Sequence, residues 1–325
     1  MPNNNYFQLK KRTALFFTLL LITAMYITPG FGQTRSETSF FEVSYGTLHH
    51  YKDFPSQHVP ERNIDVWLPP DYDQNKAYPV LYMHDGQMLF DAKKSWNGQE
   101  WGVDEVMAQL ISKNEIAPLI VVGVWNGGIY RHSEYFPQKP FESLPPHVQD
   151  SLVNRVRRNA ETDLFSRQVY SDNYLKFLVE ELKPFIDTTY NTLKDAPSTY
   201  IAGSSMGGLI SMYAICEYPE VFGGAACLST HWPGVFTLEN NPIPDAFLQY
   251  LSENIPPALD HRFYFDHGTQ TLDSLYGGIQ TKADTIFIAK GYTSRNYKSL
   301  KFEGANHSEA AWNARFQIPV KFLLE

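Results

Sequence analysis

Thr199-Tyr200-Ile201-Ala202-Gly203-Ser204-Ser205-Met206-Gly207-Gly208 reads as a strand that turns sharply through Gly-x-Ser-x-Gly into a helix. Tyr200 and Ile201 suit a buried strand, and Leu209, Met212, Tyr213 and Cys216 recur at helical spacing beyond the turn. A serine hydroxyl is barely ionised at neutral pH, so it attacks a carbonyl only where a base takes its proton and donors receive the oxyanion. A strand-to-helix turn exposes the side chain to both. Gly203 and Gly207 leave room for the crowded backbone, Gly208 lets the helix pack closely, and Ser204 is out of register with the spacing. A small-residue turn without chemistry fits those residues alone, but the flanks favour Ser205 as the nucleophile.

Strands and helices alternate on both sides of that turn. Residues 41–51 and 62–68 alternate in polarity as strands do, with Pro69-Pro70-Asp71-Tyr72 closing the second. Residues 78–83 and 119–124 are buried strands, separated by helical spacing over 103–113. A helix is expected over 174–186, interrupted near Pro184. Beyond Ser205 come strands at 222–228, 262–265 and 299–302, helices near 246–252 and 275–290, and a helical tail from Ser308. Such repeated units imply an α/β fold, a mostly parallel central sheet with helices on both faces and chemistry at the carboxyl ends of the strands.

With a hydrophobic fraction of 43% and no repeat or composition shift, one catalytic domain is expected over 33–325. Ahead of it, Lys10, Lys11 and Arg12 precede an apolar run over 14–27 and then Pro29-Gly30-Phe31-Gly32, the pattern of a signal peptide over 1–32. The run is short for a membrane span and lacks a charged stop, so no stable span is expected after cleavage, and the mature chain is expected in the periplasm or secreted. Losing those three basic residues takes the net charge from −8 to −11, which disfavours a nucleic-acid partner. Cys216 and Cys227 are expected at the far ends of a helix and its next strand, too distant for a disulfide, and read as buried thiols.

In this architecture the partners of the serine follow it in the order acid, histidine. His307, in Phe302-Glu303-Gly304-Ala305-Asn306-His307-Ser308-Glu309, comes after the last strand and before a helix, where a loop reaches back toward Ser205. The acid must follow the strand at 262–265, which leaves Asp266, Asp273 and Asp284. Asp284 falls on the expected solvated face of a helix and Asp266 ends the strand directly. Asp273, in the loop Gly268-Thr269-Gln270-Thr271-Leu272-Asp273, has the reach to orient the imidazole and ranks first, with Asp266 left open. Two backbone amides are expected to hold the oxyanion: Met206, and Gln87 in His84-Asp85-Gly86-Gln87, where glycine permits a tight turn. No spacing marks a metal site, and no cofactor is expected.

Residues 126–170 are polar, proline-rich and aromatic, and long for a plain connection: a lid, a substrate-binding insertion or a passive excursion. Trp125, Asn126, Arg131 and Trp232 are candidate substrate contacts, although aromatic residues such as Tyr135, Phe136 and Tyr170 serve equally as packing. Arg131 is also spaced to pair with Glu134. The same segment carries a basic cluster, Arg155, Arg157 and Arg158.

Leu81-Tyr82-Met83-His84-Asp85-Gly86-Gln87, then Gly203-Ser204-Ser205-Met206-Gly207-Gly208, then His307 with Trp312 beyond it, together resemble the esterase D-like "putative esterase" family of the α/β-hydrolase superfamily. The resemblance runs from about Val66 to the C-terminus and takes in Trp125-Asn126, Arg131 and Glu134-Tyr135. That family includes enterochelin (trilactone siderophore) esterases, feruloyl and acetylxylan esterases, S-formylglutathione hydrolases and mycolyltransferases. The resemblance implies an α/β-hydrolase fold, Ser205 and His307 as nucleophile and base, and an acid after the Gly268-Thr269 pair. Many relatives carry that acid where this chain has Thr271, two residues before Asp273. The expected function is an exported serine carboxylic-ester hydrolase that works through a Ser-His-Asp triad and an acyl-enzyme on an acylated carbohydrate or similar small ester. The alternatives are a trilactone siderophore esterase, an acyltransferase to a sugar hydroxyl, and an exported binding module without catalysis.

Overall fold

The computed structural model describes residues 40–325, so the expected signal peptide over 1–32 lies outside the described residues. The strands β1 (Thr47–Phe54), β2 (Arg62–Leu68), β3 (Val80–His84), β4 (Ile120–Val124), β5 (Thr199–Ser204), β6 (Gly224–Leu228), β7 (Arg262–His267) and β8 (Tyr297–Lys301) form one sheet. Their order is β1-β2-β4-β3-β5-β6-β7-β8. β2 pairs antiparallel with β1 and β4, and every other neighbouring pair is parallel.

Successive strand residues point to opposite faces, so each central strand feeds two cores. Val80 and Tyr82 of β3 enter one, Leu81 and Met83 the other, and Ile201 and Ala202 of β5 divide the same way. Burial on both sides explains why β3 to β6 read as apolar runs without alternation. The helices in chain order are α1 (Val103–Ser112), α2 (Arg131–Tyr135), α3 (Gln138–Ser143), α4 (Pro146–Arg155), α5 (Ser171–Lys176), α6 (Lys183–Thr189), α7 (Met206–Glu217), α8 (Ile243–Asn254), α9 (Gly277–Ala289), α10 (Glu309–Asn313) and α11 (Gln317–Leu324). α1 and α11 close one face through Met107, Leu110, Val320 and Leu323, whereas α7, α8 and α9 close the other through Leu209, Met212, Phe247 and Ala283. Each fully buried Leu, Met or Phe among these contributes about 1.5–3 kcal/mol.

Two elements depart from the sequence expectation. The first strand begins at Thr47 and not near residue 41, because the Asp104 carboxylate of α1 takes the amides of Ser44 (2.6 Å) and Tyr45 (3.2 Å) and Gly46 then turns at φ 78°. Those amides are bound to α1, away from the sheet. Pro184 does not interrupt its helix: α5, a π-helical stretch at Phe177–Leu182 and α6 run on continuously. A proline ring collides with the carbonyl four residues back, and a widened turn at that point removes the collision.

The 126–170 segment holds α2, α3 and α4, and Tyr135, Phe136 and Phe165 are buried in the same core as α7 and α8. These aromatic residues are packing. Cys216 and Cys227 are free and lie buried in one apolar layer, where burial pushes both thiols up. No helix among the described residues is long and apolar enough to cross a membrane.

Candidate active site

β5 ends at Ser204 and α7 begins at Met206, so Ser205 alone makes the turn, at φ 58° and ψ −120°. Such a conformation costs a non-glycine residue about 1–3 kcal/mol and persists only where its surroundings fix it. Here the Ser205 amide donates to the Leu228 carbonyl (2.9 Å), and its own carbonyl accepts from the amides of His231 and Gly208 (3.1 Å each). The end of β6 thus clamps the elbow. A Cβ on Gly203 would stand 2.8 Å from the Gly207 carbonyl, where strand and helix cross, which is why that position has no side chain.

The Asp273 Oδ1 lies 2.5 Å from His307 Nδ1, with Asp273 only 1% exposed. Its Oδ2 accepts from the Ser229 hydroxyl and from the Gly268 amide, each at 2.6 Å. Burial opposes the charged form, but the His307 hydrogen bond and charge, with Ser229 and Gly268, outweigh it and hold Asp273 below the usual carboxylate range. Thr271 turns the chain at φ 54°, and its hydroxyl accepts the His307 amide at 2.9 Å. Asp266 is engaged elsewhere, with Arg315 at 2.9 and 3.1 Å and the Tyr264 hydroxyl at 2.9 Å. Between the two acids left open by the sequence, Asp273 is therefore the one that meets the imidazole. Asp284 is not simply a solvated residue, since the side chains of Gln280 and Tyr297 donate to it at 2.8 and 2.5 Å.

Ser205 and His307 line one cavity of about 670 Å³ at the carboxyl ends of the strands. No hydrogen bond joins them among the described residues. The serine hydroxyl interacts instead with that of Tyr276, which meets His231 Nδ1 at 2.8 Å. The His307 ring is flanked by Tyr276 and Trp312, with centroids at 6.0 and 5.0 Å. Catalytic hydrogen bonds often tighten only when substrate is in place.

Gln87 also lines the cavity, and among the described residues neither its amide nor that of Met206 donates to a backbone acceptor. The turn that presents Gln87 is made by Asp85, at φ 58° and ψ 46°, and not by Gly86. Gly86 is required for another reason: a Cβ there would lie 2.7 Å from the carbonyl carbon of Gly123 in β4. Arg131 grips Asp85 through Nε (2.6 Å) and Nη2 (2.7 Å), and Asn126 Nδ2 adds a third bond at 2.7 Å. Burial opposes the Asp85 charge, but Arg131 and Asn126 keep the carboxyl below its ordinary range. His84 is no base, because burial pushes its imidazole down to about 3.

Three expectations are corrected. The Arg131–Glu134 pair does not form; Glu134 turns inward from α2 to a buried pair with Arg62 of β2, at 2.7 and 3.0 Å. Trp232 is fully buried, stacked on Phe265 with its indole donating to Gln280 at 2.9 Å, so it belongs to the core and not to the cavity. Trp125 donates to Asp65 at 2.5 Å and braces Gly86 from behind, outside the cavity lining. Asn126 and Arg131 do line it. Sequence reasoning missed Ser229 beside Asp273, Tyr276 beside Ser205 and His307, and Trp96, 84% exposed on the cavity wall. Their one signal was a place just after, or in a loop beyond, a strand's carboxyl end. Among the described residues no group of three or more His, Cys, Asp or Glu is arranged to hold a metal ion.

A mostly parallel eight-stranded sheet with a serine elbow after β5 is the α/β-hydrolase fold. Residues 57–235, more than half of the chain, match the family described as "Putative esterase", and the chain belongs to that family. The match includes Ser205 and ends before Asp273 and His307. The uncharacterized protein YbbA of Bacillus subtilis (strain 168) is 26% identical over 173 residues, 53% of this chain and 58% of that protein. The chain thus spans under three fifths of the length of this relative. Among solved structures, a ferulic acid esterase, AmCE1/Fae1A from Anaeromyces mucronatus, superposes with a TM-score of 0.59 at 20% identity, over 90% of this chain and 96% of that one. The enterochelin esterase of Shigella flexneri gives 0.56 at 17% identity, over 87% of this chain and 59% of the other. At such identities the likeness is one of fold.

Proposed function

We propose that this chain is an exported hydrolase of carboxylic esters, acting through Ser205, His307 and Asp273. The observation that carries the reading is the 2.5 Å contact of His307 Nδ1 with Asp273, on an imidazole that shares a cavity with the strained Ser205. In this mechanism His307 Nε2 takes the Ser205 proton as Oγ attacks the ester carbonyl, and the Gln87 and Met206 amides receive the oxyanion. His307 then protonates the leaving alcohol, and water deprotonated by the same imidazole releases the acid. Asp273 fixes the tautomer and stabilises the imidazolium.

The substrate class we infer is an acylated carbohydrate or a similar small ester. The exposed indole of Trp96 and the amide side chains of Asn97, Gln99 and Asn126 around the cavity support it, since sugars stack on aromatic faces and bond to amides. Export rests on the pattern of residues 1–32. A hydrolysis panel tests the reading: acetylated xylan, feruloylated sugars, a trilactone siderophore and short aryl esters, each with and without an acceptor sugar. Turnover of the sugar esters to free acid is expected. Cleavage of the trilactone alone would move the substrate class, and acyl transfer to the added sugar would make the protein a transferase.

A further inference from the structure

The arginine cluster at 155–158 is not a uniform basic patch. Arg155 pairs with Asp150 at 3.6 Å and Arg157 with Asp163 at 2.8 Å, both within the insertion itself. Arg158 has no carboxylate partner among the described residues, although the chain carries 35 acidic residues against 27 basic ones. It is also the member of the cluster that lines the cavity of Ser205 and His307.

Its position is built. Arg157 and Asp163 form an antiparallel bridge, the Arg158 amide donates to the Thr162 carbonyl at 2.9 Å, and Asn159 Oδ1 takes the amides of Glu161 and Thr162 at 2.9 Å each. The short turn holds Arg158 over the cavity while the neighbouring guanidinium is neutralised. Neither of the two carboxylates that line the cavity, Asp85 and Glu309, forms an ion pair with Arg158. Arg131 is bound to Asp85, and Glu309 accepts from Asn97 at 2.8 Å. Arg158 therefore shares the cavity of Ser205 without a carboxylate partner of its own, and partial burial beside Arg131 raises the cost of leaving it so.

We propose that Arg158 is a substrate-recognition residue that binds a carboxylate carried on the ester substrate, on its acyl or its alcohol side. The proposal rests on the ester-hydrolase reading and narrows its substrate class to anionic esters. A charge-assisted hydrogen bond of this kind is worth on the order of ten- to a hundredfold in selectivity.

The test compares matched esters: para-acetoxybenzoate with para-acetoxybenzamide, and mono-para-nitrophenyl glutarate with para-nitrophenyl pentanoate. In one pair or the other, the charged-to-neutral ratio of kcat/KM is expected to fall about ten- to a hundredfold in Arg158→Gln. Arg158→Lys should keep part of that ratio, and Arg157→Gln, one residue away and already paired, should keep all of it. Unchanged ratios in Arg158→Gln for both pairs would overturn the proposal. Binding of para-hydroxybenzoate and glutarate to the full chain, followed by saturation-transfer NMR, reads the same residue without turnover. Binding lost in Arg158→Gln with no ester cleaved would sink the hydrolase reading alone, whereas binding unaffected by the substitution would sink the Arg158 proposal.

Discussion

Asp273 is a residue on which burial and charge compete, and the outcome sets its chemistry. Because its pKa is depressed, the stability it contributes is present above the unfolded carboxylate value, roughly 4, and is lost as pH falls through the lower folded value. Asp273→Asn keeps the shape but not the charge, and kcat is expected to fall on the order of 10³- to 10⁴-fold with the circular dichroism unchanged. A loss smaller than tenfold in steady-state assays would mean that another group orients His307. Ser229→Ala removes the hydroxyl that donates to Asp273 and accepts from Trp312 and Arg315, both at 2.9 Å. It should cost about 1–3 kcal/mol in urea unfolding and lower kcat more than it raises KM. Wild-type stability in that variant would show the three buried groups to be satisfied in other ways. The placing of Ser205 at the elbow and of Asp273 against His307 was legible because elbow spacing and chain order constrain those positions directly. Trp232 was not, since its direction depends on Gln280, 48 residues away.

At the scale of elements, the loop that presents Gln87 is fixed by its approach to β4. Gly86→Ala places a methyl 2.7 Å from the Gly123 backbone, which cannot move aside like a flexible side chain. The loop must shift, carrying Gln87 with it, and kcat is expected to fall about a hundredfold alongside a loss of about 1–3 kcal/mol in stability. A fully active and equally stable Gly86→Ala protein would show that the close approach is dispensable. Most strands were readable because two-sided burial writes continuous apolar runs into β3, β4 and β6. The start of β1 and the π-helical stretch were not. The residues before β1 are held by Asp104, some 60 positions on, and local propensity carries no record of such a partner. Residues 126–170 looked like a possible lid because they are polar and proline-rich, yet their aromatic residues enter the main core.

The whole molecule should respond to pH through Asp104 as well. Burial, and then the neighbouring Glu105, raise its carboxyl to about 7. Between roughly pH 4 and that value the folded chain binds more protons than the unfolded one, so the Asp104 contribution is full below the window and declines as pH rises through it. Asp104→Asn should flatten this decline when melting temperature is followed across the range. A variant with the wild-type slope would assign the titration to other groups. The larger claim concerns the Ser205 hydroxyl, and mass mapping of a fluorophosphonate adduct tests it most directly. A single label on Ser205 is expected, lost in Ser205→Ala and formed far more slowly in His307→Ala. A label on another residue, or ester hydrolysis that survives Ser205→Ala, would contradict it.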